Sequence, residues 1–479
     1  MILPGPLVII ALPLAMAVVL QLLRHWTMLM AGLGAATLVL IGGLVLLAPL
    51  DAVWQVSNFT VEFGRPLVIL GRQLVLQPFD QLAIAFLFFT TGGLFIVAWR
   101  LLPHSNFFPV GLVIVTLLAT ALLVEQVVYA ALLVEMAAIL TVFPLHEPSS
   151  VASKRGGAPG ALGGMRYMVY VTLALPGLMI TQLFLDLFAI FPNDQTLLNT
   201  AAVLLSISFA ILFGAFPFQS WLSRVALDGS PPMVTFIFTV NFGAVWFMLL
   251  DYLRTYPWLA EQVPLAQLFL WLGLLMMVLG GILAAAQQQL GRLVGYATLV
   301  DNGAMLLALG TQQVEGTALA MLLLIARPFS LALMTLGLQG LRRLGDGADT
   351  HRLLRGVAWR APWRAFAFLI GGISLAGFPI SLSFDARWGL YRLLAQEEFT
   401  WALLALLGSA GVMFGLVRSL RVLLKRSPTV KRPVGEPLVE DRIVLLLLVV
   451  LILATLFLGF FPQRVSHLVY QMASWYTIF

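Results

Sequence analysis

Ala210-Ile-Leu-Phe-Gly-Ala-Phe-Pro217-Phe-Gln219-Ser-Trp221 begins as an apolar helix and meets proline where the helix should run on. The chain then passes Arg224 and Asp228 to reach Pro231-Pro232. Proline removes a backbone donor and frees carbonyls in the turn before it. Lipid cannot satisfy those groups, so such a break survives only where protein or a water-filled cavity surrounds it. Interrupted helices mark ion and substrate paths in transporters, and the stretch reads as one broken member of a series of membrane spans.

The rest of the composition agrees. Of 479 residues, 61% are hydrophobic and 10% charged, with a mean hydropathy of +0.99, which places the chain among all-α polytopic membrane proteins. There is no cysteine, which excludes disulfides, zinc–thiolate sites, Cys-held iron–sulfur clusters and c-type haem attachment. The five histidines (His25, His104, His146, His351, His467) lie near span ends and offer no pair for a haem inside the bilayer. No metal or cofactor is expected, and no redox chemistry of the chain's own. The net charge of +6 comes from basic residues in short loops, where it reports topology rather than a nucleic-acid partner. Met1-Ile-Leu-Pro-Gly-Pro lacks the basic start of a signal peptide, so the first apolar run is expected to remain as a span.

Runs of roughly 20 apolar residues are long enough to cross a bilayer, and fourteen are expected: Leu3–Leu23, Met28–Leu50, Asp80–Trp99, Phe107–Tyr129, Ala130–Leu145, Arg166–Leu187, Leu197–Trp221, Met233–Leu253, Leu265–Gln287, Leu293–Gly310, Gly316–Leu341, Ala365–Leu394, Trp401–Leu424 and Ile443–Phe461. The seventh is broken at Pro217 and the twelfth at Gly377-Phe-Pro379. The link Asp51–Gln77 is assigned a hairpin outside the membrane, and Pro148–Gly164 a flexible loop. Four segments follow: residues 1–106, with spans 1–3; 107–251, with spans 4–8, and 252–424, with spans 9–13, two halves expected as inverted repeats; and 425–479, with the last span. With the N-terminus outside, 20 of the 27 Lys and Arg fall in alternate loops and only Arg65, Arg72, Arg254 and Arg464 in the opposite ones, while Arg327, Arg387 and Arg392 are left within spans. The positive-inside rule then sets both termini outside.

Charges within spans are functional hypotheses by default. Glu135, in mid-span, is expected in an ion path or a buried ion pair. Asp301 is either a relay carboxylate or a structural one. Arg327 either joins such a path or donates to carbonyls freed by Pro328. Asp385 and Arg387 stand two apart, hence on different helix faces, with Arg387 able to reach an acid on a neighbouring span. The three lysines, Lys154, Lys425 and Lys431, all lie in loops. Buried lysine can surrender its proton where arginine cannot, so no lysine relay crosses this membrane domain.

These residues resemble the proton-translocating, antiporter-like subunits of respiratory complex I, related to Mrp sodium/proton antiporters, and the length is closest to the N-type subunit. Leu133-Val-Glu135-Met-Ala is similar to the family's fifth-span glutamate motif. Pro217-Phe-Gln-Ser-Trp-Leu resembles its PFHxWL, Leu290-Gly-Arg-Leu-Val-Gly-Tyr-Ala its LKRLLAYS, and Ser374-Leu-Ala-Gly-Phe-Pro-Ile its second break. The resemblance implies proton translocation coupled to electron transfer in other integral-membrane subunits, within a bacterial plasma membrane and its lipid. The sequence departs where the family has titratable groups: Leu212, Gly291 and Arg387 replace lysines, Gln219 and Asp301 replace histidines, and Arg166 stands at a sixth-span lysine position. Carboxylates at Glu135, Asp301 and Asp385 would have to carry protons here. The alternatives are a non-pumping scaffold subunit, or a membrane module of a cation antiporter or inorganic-carbon accumulation system.

Overall fold

A computed structural model describes residues 2–50, 53–56, 59–69, 71–102, 105–146, 161–257, 264–345, 348–379, 381–425 and 442–474. Most of the loop expected over Pro148–Gly164, together with His104, Lys154 and Lys431, lies outside the described residues. A short strand, β1 (Ile2–Pro4), leads into α1 (Gly5–Leu22) and α2 (Thr27–Leu47). The expected hairpin region holds β2 (Val53–Val56), β3 (Phe59–Glu62), β4 (Leu67–Ile69) and β5 (Arg72–Leu74). β3 pairs antiparallel with β2 and parallel with β1, with Leu3 opposite Val61, and β4 and β5 form a separate antiparallel pair.

Helices make up the rest: α3 (Pro78–Ala98), α4 (Phe107–Leu123), α5 (Val127–His146), α6 (Ala161–Ile190), α7 (Gln195–Phe213), α8 (Ser220–Asp228), α9 (Pro231–Thr255), α10 (Leu265–Ala286), α11 (Leu290–Gly310), α12 (Val314–Leu344), α13 (Pro362–Leu375), α14 (Leu382–Glu397), α15 (Phe399–Leu424), α16 (Arg442–Phe460) and α17 (Gln463–Ala473). Twelve of the described helices are long and apolar enough to cross a membrane, and α4 and α13 are shorter apolar helices. Local chemistry sets their ends. At α3, Pro78 occupies the first turn and the Asp80 carboxylate accepts from the Gln77 backbone N–H at 3.0 Å, a reciprocal cap. α7 starts behind Asp194, whose side chain accepts from Thr196 N–H at 3.0 Å.

α7 stops at Gly214, which adopts φ +67, so the left-handed glycine ends the helix three residues before Pro217. A left-handed residue is a common helix terminator and costs glycine little. The second interruption, after α13, likewise turns at Gly377 with φ +74. Pro328, by contrast, lies inside α12 without ending it, and the stretch Ile237–Asn241 of α9 is wound as a π-helix.

α9, α11 and α12 are buried along most of their lengths and form the centre. Around them α1, α2, α6 and α16 turn outward faces of large apolar side chains such as Leu22, Leu40, Val169 and Leu446, as a lipid-facing surface requires. Close approach in the interior depends on glycine. A Cβ on Gly303 would come within 2.7 Å of the Gly273 carbonyl, and one on Gly411 within 2.4 Å of the Gly281 carbonyl. Small residues let α10 pack backbone to backbone against α11 and α15.

Candidate functional site

Three of the charges singled out in the sequence meet in this interior. Asp301 on α11 is 2% exposed, and the side chains of Arg327 on α12 and Arg387 on α14 are fully buried. Asp301 Oδ2 accepts from Arg327 Nε at 2.8 Å and lies 2.6 Å from its second donor, while Oδ1 accepts from Arg387 at 3.0 Å. Arg387 also donates to Ser409 Oγ at 3.1 Å, and that hydroxyl bonds Tyr391 at 2.7 Å. Arg327 stacks on the Phe242 ring, 4.0 Å from its centre. Two guanidiniums thus share one carboxylate with no second acid in contact among the described residues, leaving a net positive charge in the core.

The cluster also serves the irregular backbone. Arg387 donates to Leu375 O at 3.4 Å, the last residue of α13. Asn302, next to Asp301, donates to Phe213 O at 2.8 Å, the last residue of α7. Arg327 donates to Phe238 O at 3.4 Å within the π-wound turn. These three stretches of disturbed backbone therefore receive side-chain donors from the same place, in keeping with the rule that disturbed backbone at membrane depth must find partners inside the protein.

The other expected site residues lie elsewhere. Glu135 is half-buried on α5, where its carboxylate accepts from Thr172 on α6 near the outer face, and it has no ion pair among the described residues. Asp385 is exposed on the first turn of α14. Leu212 lines a small cavity of about 20 Å³ with Val134, Tyr167, Trp221 and Asn241. Asn241 donates there to Tyr167 Oη at 2.9 Å and to Thr141 Oγ1 at 3.2 Å. Gly291 faces a different occupant. A Cβ there would fall 2.4 Å from the Arg342 guanidinium, which donates to the Ala226 and Leu227 carbonyls at 3.0 and 2.9 Å and to Asp349 at 2.8 Å. The arginine thus takes up the space beside α11 and holds the C-terminal carbonyls of α8, a favourable cation position.

Sequence reasoning missed Asn302, Ser409, Tyr391, Tyr167, Asn241 and the Arg342–Asp349 pair. Only Asn302 carried a local signal, as a polar residue beside Asp301 in a buried helix.

A model of the family described as NADH:quinone oxidoreductase/Mrp antiporter, TM, matches residues 162–415, the span that contains both interrupted helices and the whole Asp301 cluster. The chain belongs to this family. It is an integral membrane protein, and a relative in Acidithiobacillus ferrooxidans named NADH-quinone oxidoreductase subunit N is 26% identical over 92% of this chain and 96% of its own. The subunit N of Methylovorus glucosotrophus is 32% identical over 57% of this chain and 56% of its own. The fold of the family is shared with a chain of the Mrp complex from Dietzia sp. (TM-score 0.78, 17% identity, 98% and 97% coverage). It is shared as well with a chain of Thermus thermophilus respiratory complex I (TM-score 0.74, 18% identity, 99% of both chains).

Proposed function

We propose that this chain is an N-type antiporter-like subunit in the membrane arm of a multisubunit NADH:quinone oxidoreductase-type complex, taking part in proton translocation driven by electron transfer in its partner subunits. The observation that carries this reading is the alignment with subunit N along nearly the whole of both chains. Its partners are other integral-membrane subunits and lipid, in a bacterial plasma membrane with both termini outside. In this reading α4 and α13 also cross the bilayer, α13 continuing through its break into α14 and α7 into α8, so that fourteen spans complete the subunit, spans 4–8 and 9–13 forming two antiporter-like halves flanked by spans 1–3 and span 14.

The buried cluster favours a second reading within the same assembly. Guanidiniums keep their protons, and both oxygens of Asp301 are taken up by guanidinium donors. The second half then holds a fixed ion-pair knot in place of a relay, and the subunit conserves coupling geometry without moving protons through that half. Glu135 is the residue that separates the readings. Removing the chain should abolish quinone reductase-driven proton pumping in membrane vesicles, and tagged protein should co-purify with quinone-reducing subunits. Co-purification with antiporter subunits alone would overturn the assignment to an NADH:quinone oxidoreductase-type complex. Within the assembled complex, Glu135→Gln stops pumping if a relay passes there; unchanged pumping together with failed assembly of Glu135→Ala assigns the scaffold role.

A further inference from the structure

A groove of about 650 Å³ runs along the outer face of α15, lined by Phe378, Ala410, Met413, Phe414, Val417, Arg418, Arg421, Val422 and Lys425. Its two ends differ in chemistry. Arg418, Arg421 and Lys425 crowd the C-terminal end, while Ala410, Met413, Phe414 and Phe378 make the other end apolar. At 1.5 Å per residue, Ala410 to Lys425 covers about 22 Å, most of one leaflet and its surface. Trp359, 60% exposed, donates from its indole to Leu424 O at 3.0 Å, and such half-polar rings mark the membrane–water boundary. The cationic end therefore lies at head-group level and the apolar end near mid-membrane.

The cations are available. Arg421 and Lys425 are exposed and have no acidic partner among the described residues, and Arg418 makes one long bond, 3.4 Å, to Ala285 O. We infer that this groove is a binding site for an anionic phospholipid, its phosphate held by Arg421 and Lys425 with Arg418 behind them and one acyl chain laid along Phe414 and Met413 to Phe378. Basic clusters between spans at a membrane surface attract acidic head groups, and the length, volume and graded polarity suit a lipid better than a free anion or a uniformly apolar helix. The tail would end against the second helix break, since Phe378 follows Gly377 and a Cβ on Gly377 would fall 2.1 Å from Arg387 Cγ. The inference does not depend on which complex the chain serves.

The test uses the full chain in nanodiscs of phosphatidylglycerol or phosphatidylcholine, reading thermal midpoint and, by native mass spectrometry, lipid retained on release. Wild type should melt higher in phosphatidylglycerol and keep one such molecule. Arg421→Gln with Lys425→Gln, both at exposed positions, should weaken retention roughly thirty-fold, at about 1 kcal/mol per basic residue. Ala410→Trp, which fills the apolar end, should lower retention with every cation in place. Equal retention by both variants and wild type would overturn the inference. So would an equal stabilisation by inorganic phosphate alone, or a photo-crosslinker at Phe414 that captures protein rather than lipid in native membranes.

Discussion

Asp301→Asn is the sharpest probe of the interior. The substitution keeps shape and removes the one negative charge that two buried guanidiniums share at 2.6 and 3.0 Å. At an effective dielectric near 20, each contact is worth about 5 kcal/mol of gross attraction, set against the desolvation of three ions and the repulsion between the arginines. What is measured on breaking such a pair is smaller, about 3–5 kcal/mol, because most of the gross attraction offsets desolvation. Asp301→Asn should therefore lower the thermal midpoint of the assembled protein strongly. Replacing all three residues at once, with Asp301→Leu, Arg327→Met and Arg387→Met, should recover part of the loss, because a buried ion cluster exchanged for apolar groups of similar volume is often neutral or stabilising, while the Phe238 and Leu375 carbonyls lose their long arginine bonds. An Asp301→Asn protein that melts with wild type, or a triple variant less stable than the single one, would refute the view that Asp301 is what makes the two buried guanidiniums tolerable in the core.

Other expectations follow from single positions. Gly291→Ala places a methyl 2.4 Å from the Arg342 guanidinium and 2.7 Å from Asp349; it should cost about 1–3 kcal/mol by overpacking, visible as a lower melting midpoint, and Gly291→Lys should fail to accumulate. Burial, and then the neighbouring Arg418 guanidinium, hold the His351 imidazole below its ordinary value, with Asp349 opposing. The unfolded chain then takes a proton at a higher pH than the folded one. The stability present above about pH 6.5 should fall as pH drops through the folded value, and His351→Gln should flatten that part of a melting-versus-pH curve.

The spans were legible because each is a long apolar run whose edges carry charge or turn residues, and α10, α11 and α15 begin and end within a few residues of the positions read from hydropathy. The break was legible as a place but not as a mechanism. Pro217 caught the eye, whereas Gly214 stops the helix by adopting a conformation that sequence alone does not announce. The partners of Asp301 were not legible, because Arg327 and Arg387 stand 26 and 86 residues away on helices whose packing against α11 no local pattern announces. The amphipathic helix α17 and the parallel strand at Ile2–Pro4 were missed for the opposite reason: each is short, and only its tertiary neighbours make it regular.

Asp301 and Asn302 are consecutive, so on a helix of 3.6 residues per turn they point about 100° apart. One side chain is joined through Arg387 to the end of α13, and the other directly to the end of α7. α11 therefore ties the two interruptions to one rod through neighbouring residues. A variant that shifts α11 disturbs the donors of both helix ends at once, whereas Asn302→Ala removes only the bond to α7.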